Sequence, residues 1–187
     1  ENIEQSISDA DQLLATFGAL LRIARIEAGG LRDNIEKVDL AALIRDAGEL
    51  YDVVAGEKQI SFDIQLEASP IVDGDRDLLF QAIINLLDNA IKYSPEAGCI
   101  TLHLADQNGC AVLTISDHGP GIPAEEQDKV LQRFYRMDKS RTLPGSGLGL
   151  SLVAAVAAMH NAQLVLGDNQ PGLVAELRFQ CIHRRSE

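Results

Sequence analysis

The 187 residues read as an α+β protein: a mostly antiparallel sheet with helices on one face, preceded by a long helix. Three patterns point there. Apolar residues recur at steps of four and three through the first 28 positions. Short alternating runs bounded by turn residues are spread over the rest of the chain. Between them lie three more segments with helical periodicity. Hydrophobic residues make up 46% and charged residues 24%, an ordinary composition for a chain that buries a core. Sixteen Lys and Arg against 28 Asp and Glu leave a charge of −12, which argues against a nucleic-acid or anionic-membrane surface.

The first helix carries Ile3, Ile7, Ala10, Leu14, Phe17, Leu21 and Ala24, with Leu13, Leu20, Ile23 and Ile26 widening the stripe. A stripe this wide suits half of an intermolecular helical bundle. The alternative is a helix folded back on its own domain. Gly29-Gly30 stops it, and residues 31–37 read as a linker. Asp39 can cap a second helix, Leu40 to about Glu57, with Leu43, Ala47, Leu50 and Val54 on its inner face. A strand follows at Ile60–Leu66, then a short edge strand at Pro70–Val72 and a third helix from about Asp75 to Tyr93. Strands at Cys99–Ala105 and Ala111–Ser116 flank Asn108-Gly109 and read as a hairpin. Gly119 to Gly147 is rich in Gly, Pro and charge, with a short helix expected around Glu125–Phe134. A helix over Leu148–His160 and strands near Gln163–Leu166 and Leu173–Phe179 complete the order. The longest apolar stretch, Leu152–Met159, is too short to span a bilayer, and no signal peptide is read at the start. Cys99, Cys110 and Cys181 form no CxxC pair, which fits a reducing compartment.

Four segments carry chemistry. On the third helix Leu79, Ile83, Leu86, Leu87, Ala90 and Ile91 form a packing face, and Asn85, Asn89 and Lys92 stack on the other. A carboxamide oxygen is a hard ligand suited to Mg²⁺, and Lys supplies a point charge for phosphate. Asp117-His-Gly119-Pro-Gly121-Ile122-Pro follows the hairpin. An ionised Asp there can accept from an exocyclic amine, and the glycines allow close backbone approach to a flat base. Gly145-Ser146-Gly147-Leu148-Gly149-Leu150 runs into a helix and offers backbone N–H groups at its positive end. It is neither a Walker A loop nor GxGxxG, since Leu150 stands where the third Gly would be. Between these lie Arg133, Arg136, Lys139 and Arg141, a local positive field in an acidic chain, interleaved with Phe134 and Tyr135.

In this order and spacing the segments resemble the N, G1, F and G2 boxes of the ATP-binding domain of sensor histidine kinases, within the group that includes gyrase and the heat-shock ATPase chaperones. The resemblance covers about residues 35–180, and 1–28 look like the second helix of the family's dimerisation and phosphoacceptor hairpin. It implies a two-layer α/β sandwich (the Bergerat ATP-binding fold), with residues 1–30 the hairpin helix, 38–183 the ATP-binding domain and 184–187 a tail. It further implies that Asn89 ligates Mg²⁺ with Asn85 nearby, that Lys92 contacts phosphate, and that Tyr93 packs on the nucleotide. Asp117 would read the adenine amine in a pocket shaped by Gly119, Gly121 and Ile122. Gly145, Ser146, Gly147, Leu148, Gly149 and Leu150 would close over the phosphates, with Phe134 anchoring the lid and Arg136 steadying the γ-phosphate.

The resemblance also separates transfer from hydrolysis. Hydrolysing relatives carry a Glu four residues before the metal Asn; here that position is Asn85, which cannot act as a general base. The implied reaction is transfer of the γ-phosphoryl of Mg-ATP to a histidine, and from there to a response regulator, in a homodimer held by the helical bundle. The implied setting is the cytoplasmic part of an inner-membrane bacterial sensor. The family's acceptor His sits in a His-Glu/Asp-x-x-Thr-Pro context that none of His103, His118, His160 and His183 has. The expectation is therefore a chain that binds Mg-ATP without phosphorylating itself. A nucleotide-binding module with degraded catalysis and a serine kinase of the anti-sigma type are the alternatives.

Overall fold

The computed structural model describes residues 2–29, 34–137 and 145–180. The linker positions 31–33, Lys139 and Arg141 of the basic stretch, Cys181, His183 and the tail lie outside the described residues. The elements are α1 (Asn2–Glu27), β1 (Glu36–Asp39), α2 (Leu40–Gly56), β2 (Ser61–Leu66), β3 (Ile71–Gly74), α3 (Arg76–Tyr93), β4 (Cys99–Gln107), β5 (Cys110–Ser116), α4 (Gly149–Met159), β6 (Ala162–Asp168) and β7 (Leu173–Phe179).

Five strands form one sheet in the order β2-β4-β5-β7-β6. The β2–β4 pair is parallel and the rest antiparallel. The β4–β5 hairpin turns at Asn108 and Gly109, both at positive φ, the backbone that a right-twisted two-residue turn requires. Alternate residues of the central strands point to one buried face: Ile100, Leu102 and Leu104 from β4, Leu113 and Ile115 from β5, Ala175, Leu177 and Phe179 from β7. Against them pack Leu43, Ile44 and Ala47 of α2, Ile83, Leu86, Leu87 and Ala90 of α3, and Leu152, Val153 and Val156 of α4. The result is the expected two-layer arrangement.

Helix starts are well specified. The Asp39 carboxylate accepts from Ala41 N (2.9 Å) and Ala42 N (3.1 Å) to cap α2. Asp75 Oδ1 accepts from Leu78 N at 3.0 Å to cap α3. The Asp75 N–H donates to His160 Nε2 (2.9 Å), so the ring carries its proton on Nδ1 and donates to the Val156 carbonyl (2.7 Å). A buried neutral imidazole thus ties the start of α3 to the end of α4, and burial pushes its pKa below the ordinary value.

Three readings need correction. Glu36–Asp39, assigned in part to a linker, is strand β1, and pairs antiparallel with β3 in a two-stranded ribbon beside the main sheet. Leu50 and Val54 are exposed, since α2 turns Leu40, Leu43, Ile44, Ala47 and Gly48 inward instead. The helix expected near Glu125–Phe134 is only a 3₁₀ turn at Ala124–Glu126 followed by turns. On α1, Ile23 and Ile26 are buried while Ile7, Leu13, Leu14, Phe17 and Leu21 stay exposed. Its C-terminal end packs on α4, so the lower stripe is folded back on the domain and the upper stripe is unpaired among the described residues.

Candidate functional site

The polar stripe of α3 is half-buried because the glycine segment entering α4 lies across it. A Cβ added at Gly149 would sit 3.2 Å from Asn85 Oδ1 and 3.6 Å from Asn89 Nδ2. One at Gly145 would sit 2.9 Å from Lys92 Nζ. Asn85 Nδ2 donates to the Gln81 carbonyl at 2.7 Å, which turns its oxygen toward the glycine segment. At the C-terminal end of α3, Lys58 Nζ donates to the carbonyls of Ile91 (2.9 Å) and Lys92 (3.1 Å), satisfying acceptors that a helix end leaves open. Lys92 Nζ stands 4.9 Å from the centroid of the Tyr93 ring.

The aromatic-basic stretch covers the glycine segment from its other side. Phe134 N donates to Gly147 O (3.0 Å), and Arg136 Nη1 donates to Gly145 O (2.8 Å). Phe134 is 57% exposed and holds φ +63, so its backbone rather than its ring fastens the segment. The Tyr135 hydroxyl donates to Glu126, and Lys129 pairs with the same carboxylate at 2.8 Å. Leu148 belongs to the core; Ser146, Leu150 and Ile122 are half-buried.

Asp117 directly follows β5 at the opposite side of the site and is buried. Its Oδ1 accepts from Gly119 N (2.8 Å) and Leu173 N (3.2 Å). Burial pushes its carboxyl above the ordinary carboxylate range, and those two N–H groups with nearby His118 pull against that. Gly119 joins this side to α3, since a Cβ there would lie 2.7 Å from Tyr93 O and 3.0 Å from Asp117 Oδ1. All four segments singled out in the sequence therefore meet around one end of α3.

Two contributors were not read from the sequence. The turn between β6 and β7 backs Asp117: Asn169 Nδ2 donates to the Asp117 carbonyl at 2.7 Å, and Gly172 O lies 2.7 Å from where a Gly121 Cβ would stand. Tyr51 of α2 hydrogen-bonds Asp88, the neighbour of Asn89; burial, then the Asp88 charge, push its hydroxyl well above the usual tyrosine pKa. Nothing local to the sequence of the β6–β7 turn names Asp117 as its neighbour. Among the described residues no group of three or more His, Cys, Asp or Glu could hold a metal ion, and the side-chain oxygen that faces the glycine segment from α3 is the Asn85 carboxamide.

Comparison with known proteins shows the family of the chain. Residues 74–182 match the family described as histidine kinase-, DNA gyrase B- and HSP90-like ATPase. The chain is 39% identical over 168 residues to the signal transduction histidine-protein kinase/phosphatase MprB of Mycolicibacterium smegmatis, covering 89% of this chain and 33% of that protein. It thus spans about a third of that curated relative. A solved structure of the mycobacterial sensor histidine kinase MprB superposes with a TM-score of 0.69 at 34% identity, over 78% of this chain and 96% of that one. Full-length ShkA in complex with AMPPNP superposes with a TM-score of 0.81 at 26% identity, over 96% of this chain and 38% of that one. The chain belongs to the histidine kinase-, DNA gyrase B- and HSP90-like ATPases, and carries the ATPase domain of the sensor histidine kinases among them.

Proposed function

We propose that the site binds ATP with Mg²⁺ and presents the γ-phosphoryl to a histidine on a helix of the phosphoacceptor hairpin. The observation that carries this reading is the meeting of Asn85, Asn89 and Lys92 with the 145–149 glycine segment on one side and Asp117 on the other. Asp117 Oδ1 is taken up by backbone donors, which leaves Oδ2 to accept from the adenine amine, with Tyr93, Gly119, Gly121 and Ile122 around the base. Lys92 and Arg136, both at Gly145, supply positive charge for the phosphates, and the N-terminus of α4 adds backbone N–H groups. Binding of AMPPNP by the related ShkA supports the nucleotide assignment.

The donor set fits Mg²⁺. That ion takes one or two protein oxygens and fills its octahedron with phosphate oxygens and water, and Asn89 with Asn85 offers such oxygens. When bound it would neutralise phosphate charge. The Asn85 amide is not basic enough to take a proton from water, so this position offers no general base and the acceptor brings the nucleophile.

The exposed upper stripe of α1, Ile7 to Leu21, supports pairing in a helical bundle that makes a homodimer and carries the acceptor His. A response regulator would then take the phosphoryl. Among the described residues no helix is long and apolar enough to cross a membrane, so anchoring of a membrane sensor would rest on other segments. The −12 charge disfavours nucleic acid as a partner.

Calorimetric titration with ATP, with and without Mg²⁺, tests the binding. A signal that depends on the cation is expected, and no heat at millimolar ATP overturns the reading. Adding a phosphoacceptor hairpin with labelled ATP should then give acid-labile phosphate. Phosphoserine on a partner instead would favour the anti-sigma type of kinase.

A further inference from the structure

We infer that Asn169, on the β6–β7 turn, is a positioning residue that sets the base selectivity of this site by holding Asp117. The inference rests on the reading of Asp117 as the group that accepts from the adenine amine.

A carboxylate discriminates an amine from a carbonyl only if its lone pair is aimed. A side chain that swings freely can turn away from a guanine carbonyl and forfeit the penalty that rejects it. Asp117 is aimed from both ends. Its Oδ1 is pinned by Gly119 N and Leu173 N, at 2.8 and 3.2 Å. Its backbone is pinned by the turn: Asp117 N donates to Leu173 O (3.0 Å), and Asp117 O accepts from Asn169 Nδ2 (2.7 Å). Asp117 links β5 to the Gly-Pro-Gly run at 119–121, so ladder bonding alone secures only its strand side.

Asn169 is itself preorganised. Its N–H donates to Gly172 O at 3.1 Å, and Gln170 N donates to Asp168 Oδ1 at 3.0 Å, so the turn is closed on itself before it reaches Asp117. The same Gly172 carbonyl lies 2.7 Å from the place a Gly121 Cβ would take. One turn therefore braces both the acceptor carboxylate and the backbone that lines the base. Asn169 is half-buried, and its bonds run to Asp117 O and Gly172 O on the base side of the site, which separates its effect from triphosphate affinity.

The test uses the full chain with AMPPNP and GMPPNP as probes, both with Mg²⁺, and compares Asn169→Ala, Asn169→Asp and Asp117→Ala with the parent. Asn169→Asp keeps the shape and removes the donor, and a thermal melt confirms that each variant is folded. The adenine-to-guanine affinity ratio should fall about three- to tenfold in both Asn169 variants, the range that one hydrogen bond commands. The GMPPNP affinity should hold or rise. The amide resonances of Gly119 and Leu173, which report the bonds to Asp117 Oδ1, should shift in the same variants. Equal weakening of both nucleotides, or an unchanged ratio while Asp117→Ala collapses it, overturns the role of Asn169 and leaves the base-reading role of Asp117 standing. An unchanged ratio in Asp117→Ala removes the base reading, and this inference with it.

Discussion

Gly172→Ala should unfold the domain more readily than any other single added methyl near the site. Gly172 has φ +126, a backbone region that L-residues avoid at a cost of about 1–3 kcal/mol. The new Cβ would overlap the Asp117 carbonyl oxygen and stand 2.6 Å from its carbon and 3.0 Å from His118 Cα. These are backbone atoms, with no rotamer to relieve the overlap, and forced overpacking adds about 1–3 kcal/mol. Together they give about 2–6 kcal/mol, a large share of the 5–15 or so that a domain possesses. At roughly 2–4 °C per kcal/mol the melting temperature should drop by about 5–20 °C. Urea unfolding followed by far-UV circular dichroism measures the change. Gly167→Ala is the internal control: its Cβ would meet Val174 Cβ at 3.7 Å, an ordinary contact, and its midpoint should stay within about 1 kcal/mol of the parent. Equal midpoints for the two variants would refute the steric argument. A folded Gly172→Ala would still displace Asp117 and weaken adenine binding.

Leu86→Ala removes a side chain that is 4% exposed beneath the sheet, and should cost about 2–5 kcal/mol in chemical denaturation; a midpoint that barely moves would place Leu86 outside the core. Asn89→Ala should abolish the Mg²⁺-dependent part of nucleotide affinity without lowering the melting temperature, and unchanged affinity in calorimetry removes the metal role. His160 is neutral in the fold with its pKa lowered, so below pH 6.5 the unfolded chain binds the extra proton first. Stability should therefore decline as pH falls from 6.5 toward the folded pKa, by at most about 1.4 kcal/mol per pH unit. His160→Gln should flatten that limb in urea titrations at pH 5 to 7. The raised pKa of Asp117 acts with the opposite sign: the folded carboxyl holds its proton more tightly than the unfolded one, so its contribution to stability is lost as pH climbs through the carboxylate range. Adenine affinity should accordingly fade on acidification before an ordinary carboxylate would protonate, as a fluorescence titration at stepped pH can show.

Much of this architecture was legible because the signals are local. Asp39 and Asp75 announce helix starts by capping their own next turn, and Asn108-Gly109 announces a hairpin by its backbone preferences. The polar stripe at Asn85, Asn89 and Lys92 was legible because helical spacing alone stacks it on one face. What escaped was decided at long range. Strand β1 exists through pairing with β3, where Val38 meets Val72 across more than thirty residues of chain. Leu50 and Val54 fit a helical period, yet α2 is rotated to present Ile44 and Gly48, with Gly48 close to Ile64 of β2. The helix expected up to Phe134 gives way where that residue's backbone turns to bond Gly147. Asn169 could not be found at all, since its partner lies 52 positions away.

One consequence follows from α4. This helix begins in the glycine segment over the polar stripe, and its flank is the surface on which the buried end of α1 rests. Arg133, next to the stretch that bonds the glycine segment, also pairs with Glu27 at the foot of α1. α1 is 26 residues long, about 39 Å of stiff rod with one end clamped. A tilt of a few degrees at its far tip becomes, at the clamp, a torque on a single short helix whose first residue, Gly149, lies against Asn85. The seat of α1 and the glycine segment thus share one short helix, so a load on the rod reaches both.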